Sequence, residues 1–232
     1  MNYRLTILGC GPSGGVPRLG PEWGNCEPSN PKNRRRRCSV LVDRFGKDGR
    51  TSVLIDTSPD LREQLIDARV KVLDGVLFTH DHADHTHGID DLRMLSYAMK
   101  KRIDVWMDAA TSSGLTGRFA YCFDVHHNPF YPAILKSHMI TPGEPFAVDG
   151  PGGRIKVQPF LQHHGDTQSL GFVFRTLPTH RMSVACPMNH CRIWKVWSCG
   201  LSMRCAIGRI PATLVSARHW NGSRNCSRPA PC

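Results

Sequence analysis

Apolar and polar residues alternate in several short stretches of the first 176 residues, and each stretch predicts a strand. Residues 3–7 read Tyr-Arg-Leu-Thr-Ile, the period-two pattern of a half-buried strand, and a glycine-rich turn follows at residues 9–15. Residues 103–107 show the same alternation. Continuous apolar runs at residues 53–55 and 76–78 predict two short buried strands.

Helical periodicity lies between these strands. Residues 59–68 predict a helix in which Ser58 is the N-cap and Pro59 takes the first helical position. Apolar residues at positions 89, 92, 95 and 99 recur at spacings of three and four, and they predict a second helix that begins near Gly88. The alternation of strands and helices predicts an α/β domain built in layers, with functional loops at the strand ends.

The periodicity stops after about residue 174. Residues 167–232 contain nine Lys or Arg and no Asp or Glu, although average usage would give roughly eight acids in a segment of this length. The other 21 Lys and Arg and all 19 acids lie in residues 1–166, so most of the net charge of +11 belongs to the tail. We expect a domain over residues 1–176, followed by an atypical, poorly ordered, basic and Cys-rich tail over residues 177–232.

Composition also bears on the cellular setting. No apolar run approaches the length of a membrane span, and residues 1–8 lack the basic-then-apolar order of a signal peptide. Ten cysteines would suit a secreted disulfide scaffold, but such scaffolds are short and residues 1–176 provide a core-sized region. We therefore expect a cytoplasmic protein with no membrane partner.

Four side chains that commonly bind metals directly follow the strand at residues 76–78. His80, His82, Asp84 and His85 form the pattern His-x-His-x-Asp-His. Imidazole suits zinc and its neighbours, and carboxylate admits harder ions such as manganese. In a loop, alternate residues point to one side, so His80 and His82 can share one ion while Asp84 and His85 face a second. A polar loop of unrelated histidines is the alternative.

On this motif the chain resembles the metallo-β-lactamase-fold hydrolases, over roughly residues 3–175. Three further stretches resemble the branch that contains the phosphoribosyl cyclic phosphodiesterase of phosphonate breakdown. They are Leu-Gly-Cys-Gly with Gly-Val-Pro at residues 8–17, Asn-Arg-Arg-Arg-Arg-Cys-Ser at 33–39, and Gln-His-His-Gly followed by Ser-Leu-Gly-Phe at 162–172. The resemblance implies a four-layer αβ/βα sandwich, which we expect to be incomplete at the C-terminus.

The resemblance also implies roles for individual residues. His80, His82 and His164 would bind the first metal ion, whereas the neighbouring His163 would not. Asp84 and His85 would belong to the second ion. Asp56 would orient a ligand or the metal-bound water from behind, although a plain helix-capping role is an equal alternative.

The implied activity is that of a metal-dependent hydrolase. In the intact family two zinc ions, with manganese as an alternative, hold a hydroxide that attacks a small phosphodiester. The arginine run at residues 34–37 either attracts the phosphate or forms a solvated loop. An RNA-processing nuclease or a thioester hydrolase is the alternative within the fold. A non-catalytic, basic nucleic-acid-binding protein is the alternative of another class, but the balance of charge over residues 1–166 is a weak footprint for nucleic acid.

Two ligands that the family places late in its sequence are missing. One is an Asp that bridges both ions and the other is a His of the second ion. No acid follows Asp166, so the bridging ligand cannot be supplied. We expect one tightly held ion or none, and impaired hydrolysis.

The genetic code suggests why the tail lacks acids. If the third base of each codon is read with the first two bases of the next, six adjacent pairs in the tail allow only one amino acid, and it is always Glu or Leu. The pairs are Met188-Asn189, Trp194-Lys195 and Trp220-Asn221 for Glu, and His190-Cys191, His219-Trp220 and Asn225-Cys226 for Leu. Our hypothesis is that the tail is a frame-shifted translation, with the shift near residues 171–177.

Overall fold

The computed structural model of the chain describes residues 2–124, 131–177, 180–185 and 195–198. Most of the codon pairs on which the frame-shift hypothesis rests, at residues 188–194 and 219–226, lie outside these described residues. Among the helices that are described, none has the length and apolar character needed to cross a membrane.

Six strands form the first sheet, in the order in which they occur along the chain. The first three pair antiparallel, and the third to the sixth are parallel neighbours. Their bounds are β1 Asn2–Gly9, β2 Ser39–Gly46, β3 Gly49–Ile55, β4 Gly75–Leu77, β5 Ile103–Met107 and β6 Leu135–Met139. The four strands predicted from apolar patterns are therefore confirmed.

Helices connect the parallel strands. Their bounds are α1 Leu61–Asp67, α2 Ala83–Thr86, α3 Leu92–Met99, α4 Ala109–Arg118 and α5 Ala120–Phe123, and single 3-10 turns lie at Pro31–Asn33 and Ile89–Asp91. The helix predicted near Gly88 is confirmed as the second 3-10 turn followed by α3.

The predicted start of the helix over residues 59–68 is wrong by two residues. Asp60 is the N-cap position of α1. The Ser58 hydroxyl instead accepts from the Asp60 N–H at 3.2 Å and donates to the Gln64 side chain at 2.9 Å. These bonds make a turn before the helix, so Ser58 supports the entry to α1 from outside it.

The second sheet is antiparallel throughout and has the order β11-β10-β9-β8-β7. Its strands are β7 Phe146–Val148, β8 Ile155–His164, β9 Thr167–Leu177, β10 His180–Ala185 and β11 Lys195–Ser198. The last two strands lie in the region after residue 174, where apolar periodicity had predicted none.

Two apolar clusters hold the layers together. Leu54 belongs to a cluster between the first sheet and the helices, whereas its neighbours Val53 and Ile55 belong to a cluster between the two sheets. Phe172 and Phe174 of β9 fill the second cluster and are fully buried. Residues 53–55 are continuously apolar because β3 is buried on both faces.

The described residues thus form three layers, a helix layer and two sheets, and they contain no helix after Phe123. Within the described residues, this arrangement agrees with the four-layer sandwich that the resemblance implies, except that no helix layer over the second sheet is among them. The carboxyl ends of β3, β4 and β5 lie at one edge of the first sheet, because these strands are parallel. Loops at this edge carry Asp56 and residues 79–85, and such an edge is where α/β proteins commonly bind ligands.

Candidate metal centre

Three histidines come together at this edge. His80 and His82 follow β4, and His164 ends β8 of the second sheet. One nitrogen from each ring lies within 4.8 Å of the others. The ring centroids are 4.5 Å apart for His80 and His82, 4.9 Å for His80 and His164, and 5.1 Å for His82 and His164. The three rings therefore surround one point between the two sheets.

The turn after β8 brings His164 to this position. His164 pairs with Thr167 across a two-residue connection, in which Gly165 has a φ of 57°, a value that favours glycine. The Leu170 N–H then donates to the Thr79 carbonyl at 2.8 Å, which ties β9 to the loop before His80. The side chain of His163, one residue earlier, is exposed. The structure thus places His164, and not His163, beside His80.

Asp56 organises the base of the site. Its Oδ1 accepts the Thr79 N–H at 2.8 Å, and its Oδ2 accepts the Thr79 hydroxyl at 2.8 Å. The same Oδ2 lies 2.7 Å from His85 Nδ1. These contacts join the ends of β3 and β4. The carboxylate therefore faces the candidate metal ligands, and the alternative of a helix-capping role is wrong because the N-cap residue of α1 is Asp60.

This network fixes the orientation of two imidazoles. The Thr79 hydroxyl has one hydrogen and gives it to Asp56, so it accepts from His80 Nδ1, which lies 2.9 Å away. His85 Nδ1 likewise donates to the Asp56 carboxylate. The His80 ring, whose lowered pKa keeps it neutral, is left with a lone pair on Nε2. A hydrogen bond from the far nitrogen is how proteins orient metal-binding histidines.

The backbone at Asp56 is strained and held in place. Asp56 is fully buried with a φ of 60°, a left-handed value that Asp adopts more readily than most residues. Its N–H donates to the Leu77 carbonyl at 2.9 Å, and the Ser39 hydroxyl lies 2.9 Å from its carbonyl. Thr79 and Ser39 are the site residues that sequence reasoning missed. A hydroxyl residue directly before the histidine motif was the available sign for Thr79.

Asp84 and His85 lie on the one-turn helix α2, and not in a loop as expected. His85 is buried, and its Nε2 lies 3.3 Å from Asp84 Oδ2. The His85 ring is also next to His80, with 4.3 Å between the ring centroids. The two side chains lie beside the three histidines, and together we call them the half-site. Helix α2 carries both residues, and Asp56 orients the His85 ring.

Burial sets the protonation of these groups. Burial, followed by the neighbouring His85, His82 and His164, lowers the pKa of His80 to about 2. Burial, helped by His82, also lowers the pKa of His164. Burial would raise the pKa of Asp84, but the hydrogen bond and charge of His85 outweigh it and hold that pKa below its ordinary value. Neutral imidazoles and an ionised carboxylate are the forms that bind metals.

The residues present fit a divalent metal ion. His80 Nε2 is buried and has no hydrogen-bond partner, although a buried polar atom is normally satisfied. One nitrogen from each of the three rings lies within 4.8 Å of the others, so the three rings can share one ion. Three imidazoles with one open side are the donor set of catalytic zinc sites.

The arginine run at residues 34–37 lies at the same edge of the sheet, and two of its four side chains form ion pairs with carboxylates. Arg36 forms an ion pair with Asp67, and Arg37 Nε lies 3.0 Å from Asp60 Oδ2, so both hold the run against α1. Arg34 and Arg35 are exposed. Ser39, at the end of the run, contacts the Asp56 carbonyl, which places the run beside the metal centre.

A family model and a solved structure of 34% identity agree with this architecture. The family model described as "Beta-lactamase superfamily domain" matches residues 51–197. A solved structure of a diphosphatase from the PhnP family is 34% identical, with a TM-score of 0.61, and the match covers 75% of this chain and 62% of that one. A metallo-beta-lactamase fold protein from Bacillus subtilis is 17% identical, with a TM-score of 0.49, over 77% of this chain and 59% of that one.

One curated relative also matches. An octanoyltransferase from Porphyromonas gingivalis is 33% identical over 169 residues, which are 73% of this chain and 32% of that protein. The chain thus spans about a third of the length of this relative, and under two thirds of the diphosphatase.

Proposed function

Because the chain belongs to the beta-lactamase superfamily, we propose that it is a metal-dependent hydrolase of phosphodiesters, with one divalent ion held by His80, His82 and His164. The observation that carries the proposal is the buried, unpartnered Nε2 of His80 facing two further imidazoles. Zinc is the ion that three histidines favour, and manganese is the alternative. When bound, such an ion polarises a phosphoryl oxygen and provides a nucleophile at neutral pH.

The chain's own residues prepare the site for this chemistry. Asp56 keeps a proton on His85 Nδ1, and the Thr79 hydroxyl keeps one on His80 Nδ1, so neither ring has to reorient when a ligand arrives. The half-site of Asp84 and His85 lies next to the three histidines, where it can hold a second ion weakly or accept a proton. The packing of β9 against Thr79 keeps His164 at the third position.

The substrate class is supported by two observations. The diphosphatase at 34% identity is named for a reaction at phosphorus, the hydrolysis of a diphosphate. The exposed Arg34 and Arg35 add positive charge at the edge where a phosphate would approach. A small phosphodiester fits both, and we propose it as the substrate, with no nucleic-acid partner.

We further propose that this chain hydrolyses slowly. Asp84 and His85 are two ligands toward a second ion, and no Asp or Glu follows Asp166 to complete it. We expect at most one tightly held zinc per chain, measured by atomic emission on the purified protein. Two tightly held zinc ions together with fast turnover would contradict this.

The frame-shift hypothesis explains the missing acid and is tested on the gene. Sequencing the coding DNA across the codons of residues 171–177 in independent clones is expected to show an added or lost base. An unbroken frame, with an intact protein mass that matches this amino-acid sequence, would reject the hypothesis. Restoring the alternative frame is expected to raise both zinc content and turnover.

Activity is tested with the full chain and added zinc or manganese. Bis(4-nitrophenyl) phosphate is expected to be hydrolysed slowly, in a metal-dependent way, and His82→Ala is expected to abolish the hydrolysis. His82 is an exposed ligand, so the variant removes a nitrogen without opening the core. Hydrolysis that is unchanged in His82→Ala would contradict the proposal.

Thioester hydrolysis is a second candidate. The octanoyltransferase relative is named for the transfer of an acyl group, and this chain matches a part of it at 33% identity. An assay with octanoyl-coenzyme A as the substrate, in which release of the free thiol is measured, separates the two candidates. Turnover of the thioester that exceeds turnover of the diester would favour the second candidate.

A further inference from the structure

An arginine from outside the metal-binding loop reaches into it between the two ligands. Arg118, at the end of α4, donates from Nη2 to the backbone carbonyl of Asp81 at 2.7 Å and to Asp81 Oδ2 at 2.6 Å. Asp81 separates His80 from His82 in the sequence. One guanidinium therefore donates hydrogen bonds to both the main chain and the side chain of the residue that links two candidate ligands.

The surface of α4 is shaped to receive this contact. Arg118 Nε donates to the Gly114 carbonyl at 3.1 Å, which fixes the guanidinium along the helix. A Cβ atom built at Gly114 would lie 2.3 Å from Asp81 Oδ2 and 3.0 Å from Arg118 Nη2. The Asp81 carboxylate thus packs directly against the backbone of α4 at Gly114, and any larger residue at position 114 would displace this carboxylate.

Other hydrogen bonds to this part of the loop are local. The Thr86 hydroxyl donates to the His82 carbonyl at 2.9 Å, and the His85 N–H donates to the same carbonyl at 3.0 Å. Both donors lie on α2, so they move together with the loop. Arg118 lies 37 residues away from Asp81 and ties the loop to a separate helix.

We propose that Arg118 is a positioning residue, which acts through Asp81 to hold His80 and His82 in the geometry that binds the metal ion. The inference rests on the proposed metal site and adds to it a residue outside the set of three histidines. An exposed ion pair contributes little to global stability, so its effect should fall on the loop. Outer contacts of this kind typically change metal affinity by about 10- to 100-fold, and we expect about tenfold here.

The test measures zinc affinity of the full-length chain by competition with a chromophoric chelator. Arg118→Ala is expected to bind zinc about tenfold more weakly, with the melting temperature of the metal-free protein unchanged, and Arg118→Lys is expected to restore part of the loss. Arg154→Ala is the matched control, because Arg154 forms an exposed ion pair with Asp149 away from the site. Equal zinc affinity in Arg118→Ala and Arg154→Ala would overturn the proposal.

Two further variants separate positioning from simple loss of structure. Gly114→Ala keeps Arg118 and should favour the helix, so weaker zinc binding without a lower melting temperature is the expected result. In a double-mutant cycle, Arg118→Ala should cost less affinity when Asp81 is already alanine than it does in the parent chain. Full additivity in this cycle would mean that Arg118 does not act through Asp81 and would overturn the proposal.

The parent chain and His80→Ala are measured beside these variants. If the parent binds no zinc, both the metal site and this inference fail. If the parent binds zinc and His80→Ala does not, but Arg118→Ala binds as the parent does, then only the role of Arg118 fails.

Discussion

The two parts of the metal centre are built in different ways. The loop at residues 79–85 continues from a buried parallel strand. Asp56 fixes the His85 ring directly through Nδ1 and the His80 ring through the Thr79 hydroxyl. The hairpin of β8 and β9 delivers His164 from the second sheet, at a half-buried turn. The two parts meet at the site through the His164 ring, which adjoins His80 and His82, and through the bond from the Leu170 N–H to the Thr79 carbonyl.

The difference shows that one part is preorganised by its own sheet, while the other depends on how the two sheets dock. His80 is 2% exposed and owes its place to the core of the first sheet. His164 owes its place to Phe172, Phe174 and the rest of the cluster between the sheets. Metal affinity should therefore respond differently to changes in the two parts.

The largest effect should come from removing any of the three imidazoles. His80→Ala, His82→Ala and His164→Ala are each expected to lose stoichiometric zinc binding, a loss beyond the roughly 100-fold that outer contacts contribute. Zinc titration with a competing chelator measures this. His163→Ala is the matched control because its exposed ring adjoins His164 but lies outside the cluster. Unchanged zinc loading in His80→Ala and His82→Ala would refute the metal centre.

Asp56→Asn should weaken the loop without touching a ligand. An amide has one acceptor oxygen, whereas the carboxylate accepts from Thr79 twice and from His85. We expect zinc affinity to fall by about 10- to 100-fold. The melting temperature of the metal-free protein should fall as well, because the site of the substitution is fully buried.

The control for Asp56→Asn lies on the other part of the site. His164→Ala removes a half-buried ring from a turn, so it should leave the melting temperature of the metal-free protein nearly unchanged. A similar drop in melting temperature for the two variants would remove the distinction between a preorganised loop and a docked hairpin.

Lowering the pH should destabilise the metal-free protein through His80. Its pKa in the folded state is lowered to about 2, so the folded ring stays neutral while the unfolded chain takes up a proton below about 6.5. The free energy of unfolding therefore keeps its full value above pH 6.5 and decreases as the pH falls below it. The decrease between pH 7 and pH 5 should be about 2 kcal/mol. Urea unfolding at the two pH values measures it.

His80→Asn provides the comparison for the pH effect. The variant should lose less stability than the parent between pH 7 and pH 5, because it no longer has this ring to protonate. His164→Asn should change the pH dependence less, since His164 is half-buried and burial is the main cause of its lowered pKa. An equal pH dependence in the parent and His80→Asn would reject this role for His80.

The sequence predicts the candidate metal ligands better than the residues that hold those ligands in place. Four ligands in six residues have a chemistry that is visible without a fold, and a resemblance selected His164 over His163. Thr79 and Ser39 were missed because a hydroxyl gains its meaning from a partner far along the chain. For Thr79 that partner is Asp56 and for Ser39 it is the strand end beside it.

The secondary structure was likewise predicted where burial leaves an apolar pattern in the sequence, and missed where it leaves none. Strands with continuous apolar residues, such as β3 and β4, were predicted because both of their faces are buried. The sequence predicts a loop where the short helix α2 lies, because two of its four residues carry metal-binding side chains and the four are too few to show an apolar period. Strands β10 and β11 are not predicted from the sequence, since β10 forms by pairing with β9 and β11 by pairing with β10, and neither sequence shows a sustained alternation.

The smallest expected effect concerns the hydroxyl that joins the Asp56 carboxylate to His80. Thr79→Val keeps the shape of the side chain but leaves the His80 Nδ1 hydrogen without an acceptor, which should cost about 1 kcal/mol of unfolding free energy. Thr79→Ser keeps the hydroxyl and should retain most of the stability. Thr167→Val, on the hairpin opposite His164, is the matched control and should change neither stability nor zinc affinity. Equal losses for Thr79→Val and Thr167→Val would mean that the loop is not held by this hydrogen-bond chain, because the two substitutions remove the same group from the two parts of the site.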